Sequence, residues 1–371
     1  MPNGSTRAIG GNCRFVVPAA ARNRGWKPSP AIWALHTIRP LASKHQGFGR
    51  SIATVTSWLL QAASLVVCVA FGCGLALEDR WLFTQWLSWI PGVVPLLLAL
   101  LALVAILAVR GGRWRRCAAL QGLLVVLLGG HILRTSFGLE PGVPGGSPEL
   151  VHLLQWNSSW PAGDDPRSMQ ALASAPADIV LISNRGAITS PDMVQRWAGR
   201  DARVVGAALF ALITEWPVTE ARLVAAGGAG ATRWYVARFT VLPPAWHGRP
   251  LRIAMVDMPS RPSLPRRQVA DAVAEAIESG GLGDVDVVAG DFNAISGSVL
   301  LSRCFPGMRD AANEAGAGWY ATWPRRFPLW QIDHTLLGPG LRCLRAWTLD
   351  PETSSHRMTM SILAPASEDS N

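Results

Sequence analysis

An aspartate and an asparagine two positions apart, Asp291 and Asn293, follow the alternating run Val285-Asp286-Val287-Val288-Ala289. Residues two apart at a strand end project to the same side, so the pair offers one carboxylate and one amide to a common pocket. Asp333 and His356 come later, each at the end of a short apolar run. A carboxylate beside an imidazole raises its pKa and fixes its tautomer. Gathered at one rim of a compact sheet, these four groups make a hydrolytic site. Each also has a plainer reading alone. Gly290-Asp291-Phe292-Asn293 can be a turn leaving a strand, Asp333 can cap a strand end, and an isolated histidine is more often structural.

Four segments in order, Gly290-Asp291-Phe292-Asn293, Thr322-Trp323-Pro324, Gln331-Ile332-Asp333-His334 and Ser354-Ser355-His356, resemble the active-site framework of the endonuclease/exonuclease/phosphatase superfamily of phosphoester hydrolases. The second and third together especially resemble its membrane-anchored bacterial branch. The resemblance implies that Asp291 and Asn293 position or deprotonate the attacking water and hold phosphate oxygens. It implies that Asp333 pairs with a catalytic His356, and that Asn157, in Gln155-Trp156-Asn157, orients the site. For the fold it implies an α/β/β/α sandwich, two mainly antiparallel sheets packed face to face with helices outside and the site at one rim.

The resemblance also implies a magnesium or manganese ion, and here the sequence departs from the family. Where relatives carry a metal-binding Glu after the second strand, Asp178-Ile179-Val180-Leu181-Ile182-Ser183 is followed by Asn184, a candidate substrate-binding residue together with Asn157. Ser159 and Ser355 stand where acidic residues are usual, and Met258 where a histidine is. A magnesium site ordinarily needs a carboxylate. Three accounts remain open: the metal moves to Asp291, Asn293 and His356; Arg185 or Arg357 supplies fixed positive charge; or the domain has lost hydrolysis and binds a phosphorylated or lipid ligand.

The elements that must position these groups lie in two very different regions. Hydrophobic residues make up 49% of the chain, and three apolar stretches, about Ile52 to Leu77, Leu87 to Val109 and Cys117 to Leu133, hold the excess. A bilayer core of roughly 30 Å takes about 20 apolar residues in helix, and no polar face recurs at helical spacing within them. Trp58, Trp81, Trp86, Trp89 and Trp114 lie near their ends, as interfacial rings do. Basic residues gather before the first stretch and, as Arg110, Arg113, Arg115 and Arg116, between the second and third. The positive-inside rule then puts the C-terminal domain outside the cytoplasm. It also accounts for much of the net charge of +9, so nucleic acid is not favoured as the substrate. The expected partners are the lipid bilayer and a phosphorylated small molecule or lipid.

The resulting plan is a disordered basic cytoplasmic arm (1–50), a region of three transmembrane helices (51–134), a Gly- and Pro-rich linker (135–148), an α/β domain (149–364) and a polar tail (365–371). Within the domain, strands are predicted at 151–156, 178–182, 204–210, 234–242, 252–256, 285–289 and 331–337. Helices are predicted at 169–174, 193–197, 268–277 and 298–304. The run Gly227-Gly228-Ala229-Gly230 reads as a hairpin turn. His334, His152 and His247 read as structural, and Cys304 and Cys343 as a pair that an oxidising compartment would permit to join.

Overall fold

The computed structural model describes residues 42–108, 114–138, 149–159, 166–186 and 202–366. Helix α1 (Ala42–Leu77) begins ahead of the apolar run at Ile52 and is followed by α2 (Leu82–Ser88), α3 (Val93–Ala108) and α4 (Arg115–Thr135). Residues Ile52–Leu77 of α1, and α4, are each long and apolar enough to cross a bilayer. The expected middle span over Leu87–Val109 is instead divided. Helices α2 and α3 meet the same test only as a pair bent by 60°, with Pro91, which has no N–H to donate, and Gly92 between them. Phe71, Ala99 and Leu128 pack α1, α3 and α4 together, and the Ser64 hydroxyl donates to Gln121 Oε1 across α1 and α4 at 3.1 Å.

Past α4, the short strand β1 (Phe137–Gly138) falls within the expected linker and pairs antiparallel with Gly318–Trp319. Among the described residues, the remaining strands, all but that Gly318–Trp319 partner, form two six-stranded sheets. In chain order these strands are β2 (Val151–Asn157), β3 (Ile179–Ser183), β4 (Arg203–Ala207), β5 (Phe210–Thr214), β6 (Val218–Gly227), β7 (Trp234–Val241), β8 (Leu251–Asp257), β9 (Val287–Asp291), β10 (Arg309–Asp310), β11 (Gly318–Trp319, the partner of β1), β12 (Asp333–Leu337), β13 (Leu341–Leu349) and β14 (Met358–Pro365). One sheet runs β10-β12-β9-β8-β7-β6 and the other β13-β14-β2-β3-β5-β4. Pairing is antiparallel except for β2 with β3 and β8 with β9, near the centre of each sheet.

Alternating residues of both sheets fill the space between them, with Leu153, Leu181 and Leu212 packed in one cluster with Phe239, Ile253 and Met255. The outer faces are covered by helices. Leu172 of α5 (Pro166–Ser174) joins Val180 and Ile213, and Val273 and Ile277 of α6 (Arg266–Ser279) join Val256 and Val288. The predicted strand over 204–210 is a hairpin, β4 to β5, turned at Ala208, which adopts φ 54° without the glycine or asparagine that would have signalled it. The glycine run at 227–230 does lie in the β6–β7 turn. The predicted helix at 193–197 lies outside the described residues. Cys304 and Cys343 are both free and sit in different clusters, one under α6 and one between the sheets.

Candidate active site

The central parallel pairs deliver polar side chains to one rim. Asp257 and Asp291 are register partners at the ends of β8 and β9, and Asn157 and Ser183 at the ends of β2 and β3. Strand β12 starts at the same rim with Asp333 opposite Asp291, and His356 sits two residues ahead of β14. The glycine before Asp291 is required there. At φ 149° a side chain on Gly290 would run into the Val256 carbonyl oxygen of the neighbouring strand.

Hydrogen bonds fix each group. Asn157 Nδ2 donates to Asp291 Oδ2 at 2.8 Å, and the Asn293 backbone N–H to Asp291 Oδ1 at 2.9 Å. Asn293 turns at φ 46° and its side-chain amide donates to the Met258 carbonyl at 2.9 Å. His356 Nδ1 meets Asp333 Oδ2 at 2.9 Å, which leaves Nε2 facing Asp291 Oδ2 at 3.8 Å. Asp333 is steadied in turn by Gln155 Nε2 at 3.4 Å. The Thr322 hydroxyl oxygen accepts from the Ile332 and Asp333 N–H groups, giving the Thr-Trp-Pro segment a positioning role.

Burial and charge set the protonation states. Burial opposes a charge on His356, but the Asp333 carboxylate outweighs it and lifts the imidazole to about 9. Asp291 is pushed up to about 6 by burial and by repulsion from Asp333, against the pull of His356. Asp257 is pushed up to about 8 by burial and by the neighbouring Asp291. These groups face a cleft of about 1220 Å³ that also presents Arg185, Arg233, Trp323 and Trp330.

Residues 154–356 match the sequence model of the endonuclease/exonuclease/phosphatase family. The chain belongs to that family. Three solved structures are similar to it in fold. One is an endonuclease/exonuclease/phosphatase family protein from Bacteroides thetaiotaomicron, at 15% identity and TM-score 0.49, with 63% of this chain and 99% of that one covered. Another is a mannosyl-6-phosphatase of the same organism, at 15% identity and TM-score 0.46, covering 58% and 99%. A third is a 3′ phosphatase from Neisseria bound to a product DNA hairpin, at 15% identity and TM-score 0.40, covering 57% and 98%. No curated protein matches the chain.

Family members are hydrolases that include phosphatases and generally depend on a divalent metal. At Ser159, Asn184 and Ser355, where the sequence leads us to expect the family's metal position, the side chains satisfy one another. Ser159 Oγ lies 2.8 Å from Ser355 Oγ and 2.9 Å from Ser354 Oγ. Asn184, at φ 54°, donates to Asn157 Oδ1 at 3.1 Å and hydrogen-bonds Asp257. The donor set that fits a cation lies beside them, where Asp291, Asp333 and His356 each offer one ligand atom, all within 4.8 Å of one another. Two carboxylates and an imidazole suit a divalent ion of the magnesium or manganese kind. Asn293, expected in that set, is adjacent to it through Asp291.

The rim thus gathers Asn157, Asn184, Asp291, Asn293, Asp333 and His356. Of the two arginines weighed as fixed charge, Arg185 lines the cleft, while Arg357 turns its Nε to the Arg325 carbonyl. Asp257 escaped notice beside Met258, although it ends an alternating run just as Asp291 does. Arg266 carries no sequence signal at all. It is fully buried behind the site, under the charge of both Asp79 and Asp291, with Nη1 donating to the Pro259 carbonyl at 2.7 Å and with Nε and Nη2 unpartnered. His334 is held between Asp310 at 2.6 Å and the Ala294 carbonyl at 2.9 Å on the far side of β12, a structural role.

Proposed function

We propose that the chain is a membrane-anchored phosphoester hydrolase that acts outside the cytoplasm by water attack at phosphorus. The observation that carries the reading is the His356 ring, held by Asp333 and turned toward Asp291 across 3.8 Å. At neutral pH Asp291 is the group that accepts a proton from water, and His356 the group that holds one for the leaving oxygen. Asn157 and the Asn293 backbone keep Asp291 aimed. Arg185 and Arg233 give the cleft the positive charge that an anionic ester needs. A magnesium or manganese ion held by the Asp291 and Asp333 carboxylates would neutralise the phosphoryl oxygens, with His356 keeping its proton beside it rather than acting as a ligand. The orientation rests on the basic residues before the first span and between α3 and α4.

The test uses full-length protein in detergent micelles with bis(p-nitrophenyl) phosphate and p-nitrophenyl phosphate, with and without manganese. Asp291→Ala and His356→Ala are expected to lower kcat by a factor of roughly 10² to 10⁴ while the melting temperature stays close to wild type. Wild-type protein that hydrolyses neither ester, with or without metal, would leave the second reading, a domain of the same fold that binds a phosphorylated or lipid ligand.

A further inference from the structure

Helix α2 is amphipathic in the sense opposite to a helix in water. Its polar residues Thr84, Gln85 and Ser88 are buried, while Leu82, Phe83 and Trp86 face outward, Phe83 72% and Trp86 53% exposed. Such a face is stable when lipid covers it. Its place in the chain supplies that lipid, because α2 follows directly on the end of the apolar run at Leu77 and is flanked by Trp81 and Trp89, residues favoured at the headgroup level.

The polar side of this segment is locked to the catalytic domain. Gln85 Nε2 donates to the Pro262 carbonyl at 2.7 Å, and Gln85 Oε1 accepts from the Arg266 N–H at 3.0 Å. Just upstream, Asp79 accepts from the Val299 N–H at 2.7 Å and from the Ser298 hydroxyl. Trp330 Nε1 donates to the Trp89 carbonyl at 2.9 Å. The height of the site above the bilayer is therefore set by direct contact. The cleft that holds Asp291 and His356 also runs to this helix. Trp86 and Trp89 line it together with Trp323 and Trp330, and Arg185 and Arg233 line it as well.

We propose that the substrate is a membrane lipid phosphoester, with its phosphate at Asp291 and His356 and its acyl chain passing Trp86 and Trp89 into the bilayer. This rests on the hydrolase reading above and adds the substrate class to it. Water attacks phosphorus and the P–O bond to the lipid alcohol breaks; Asp291 takes the proton from water and His356 gives one to the leaving oxygen. A short water-soluble ester would meet the charged groups but leave the tryptophan-lined end in contact with water.

The experiment compares full-length protein in dioleoylphosphatidylcholine vesicles carrying dioleoyl phosphatidic acid or dioleoyl phosphatidylglycerol with the same headgroups on dihexanoyl chains, kept below micelle formation. For at least one headgroup kcat/KM is expected to be about tenfold or more higher on the long chains, and Phe83→Ser, which alters no cleft residue, is expected to erase that preference without slowing the dihexanoyl ester. Binding is read separately by photocrosslinking a diazirine-chain phosphatidic acid to the His356→Ala protein. The crosslink should map to residues 81–89 and be competed by phosphatidic acid but not by phosphatidylcholine. Equal turnover of long and short chains, unaffected by Phe83→Ser, overturns the lipid assignment and leaves phosphoester hydrolysis standing. Competed crosslinking without turnover of any probe overturns hydrolysis and keeps the lipid phosphate as ligand. Neither turnover nor competed crosslinking overturns both.

Discussion

Asp291 and His356 differ in what neutral pH does to them. The carboxyl, pushed up to about 6, has given up its proton, and the imidazole, lifted to about 9, still holds one. A base must be deprotonated and an acid protonated, so kcat/KM is expected to fall as pH drops below about 6 and again as it rises past about 9, a bell that a pH series on a soluble aryl phosphate would trace. His356→Ala should remove the alkaline limb. Position 184 makes a second prediction. Asn184 adopts φ 54°, a conformation that asparagine tolerates and that costs most other residues roughly 1–2 kcal/mol. Asn184→Glu therefore brings backbone strain and sets a carboxylate against Asp257, which already resists ionisation. In metal-free buffer the variant should melt lower by about 2–4 °C per kcal/mol lost, and manganese should restore it by binding between the two carboxylates. A melting temperature indifferent to manganese would show that residue 184 does not reach a metal position.

At the scale of elements, the site depends on strand ends that stop level with one another and on the segment 79–89, which is hydrogen-bonded to the domain. Asp79 is the clearest joint. Replacing it with alanine leaves the Val299 N–H and the Ser298 hydroxyl without their acceptor, at a cost of about 1–3 kcal/mol. Asp79→Ala in micelles should lower the melting temperature and loosen α2 from the domain, read as faster proteolysis near residues 78–92. The strand ends were legible in the sequence because alternation followed by Asp or Asn marks where a side chain turns from sheet to rim, as at 285–293. Asp257 obeys the same rule. It stands beside Met258, where a family histidine is expected, and carries no motif of its own. Helix α2 was not legible, since Leu82, Phe83 and Trp86 read as the approach to a span, and only the docking of Thr84, Gln85 and Ser88 shows which face is buried. Strand β6, at a sheet edge with Glu220 and Arg222 half exposed, lacks the apolar run that marks a central strand. Gly74 belongs to the same set of hidden constraints. A Cβ there would strike the Leu87 and Ser88 backbone, a close approach that no local pattern announces.

For the whole molecule, the contacts of the α/β domain bear on how the chain would cross a bilayer. Asp79 after α1, Trp89 before α3 and Phe137 after α4 all touch that domain, so the ends of α1 and α4 emerge on the domain's side. If α1 and α4 both cross a bilayer, one crossing in the opposite direction must lie between them, and among the described residues α3 is the apolar helix available. Its 16 residues reach about 24 Å at 1.5 Å each, short of a bilayer core of roughly 30 Å. Local thinning can absorb that shortfall at a modest cost. With α3 entering the bilayer, the bend at Pro91 would let α2 lie along its surface. The prediction is an odd number of crossings. In intact cells with a permeable outer layer, a cysteine introduced at Ser263, in the loop before α6, should react with an impermeant maleimide, and a tag on the N-terminal arm should react only after the membrane is opened. Labelling of both from the same side would mean an even number of crossings, with the domain and the arm in one compartment, and would overturn the reading of α1, α3 and α4 as three spans.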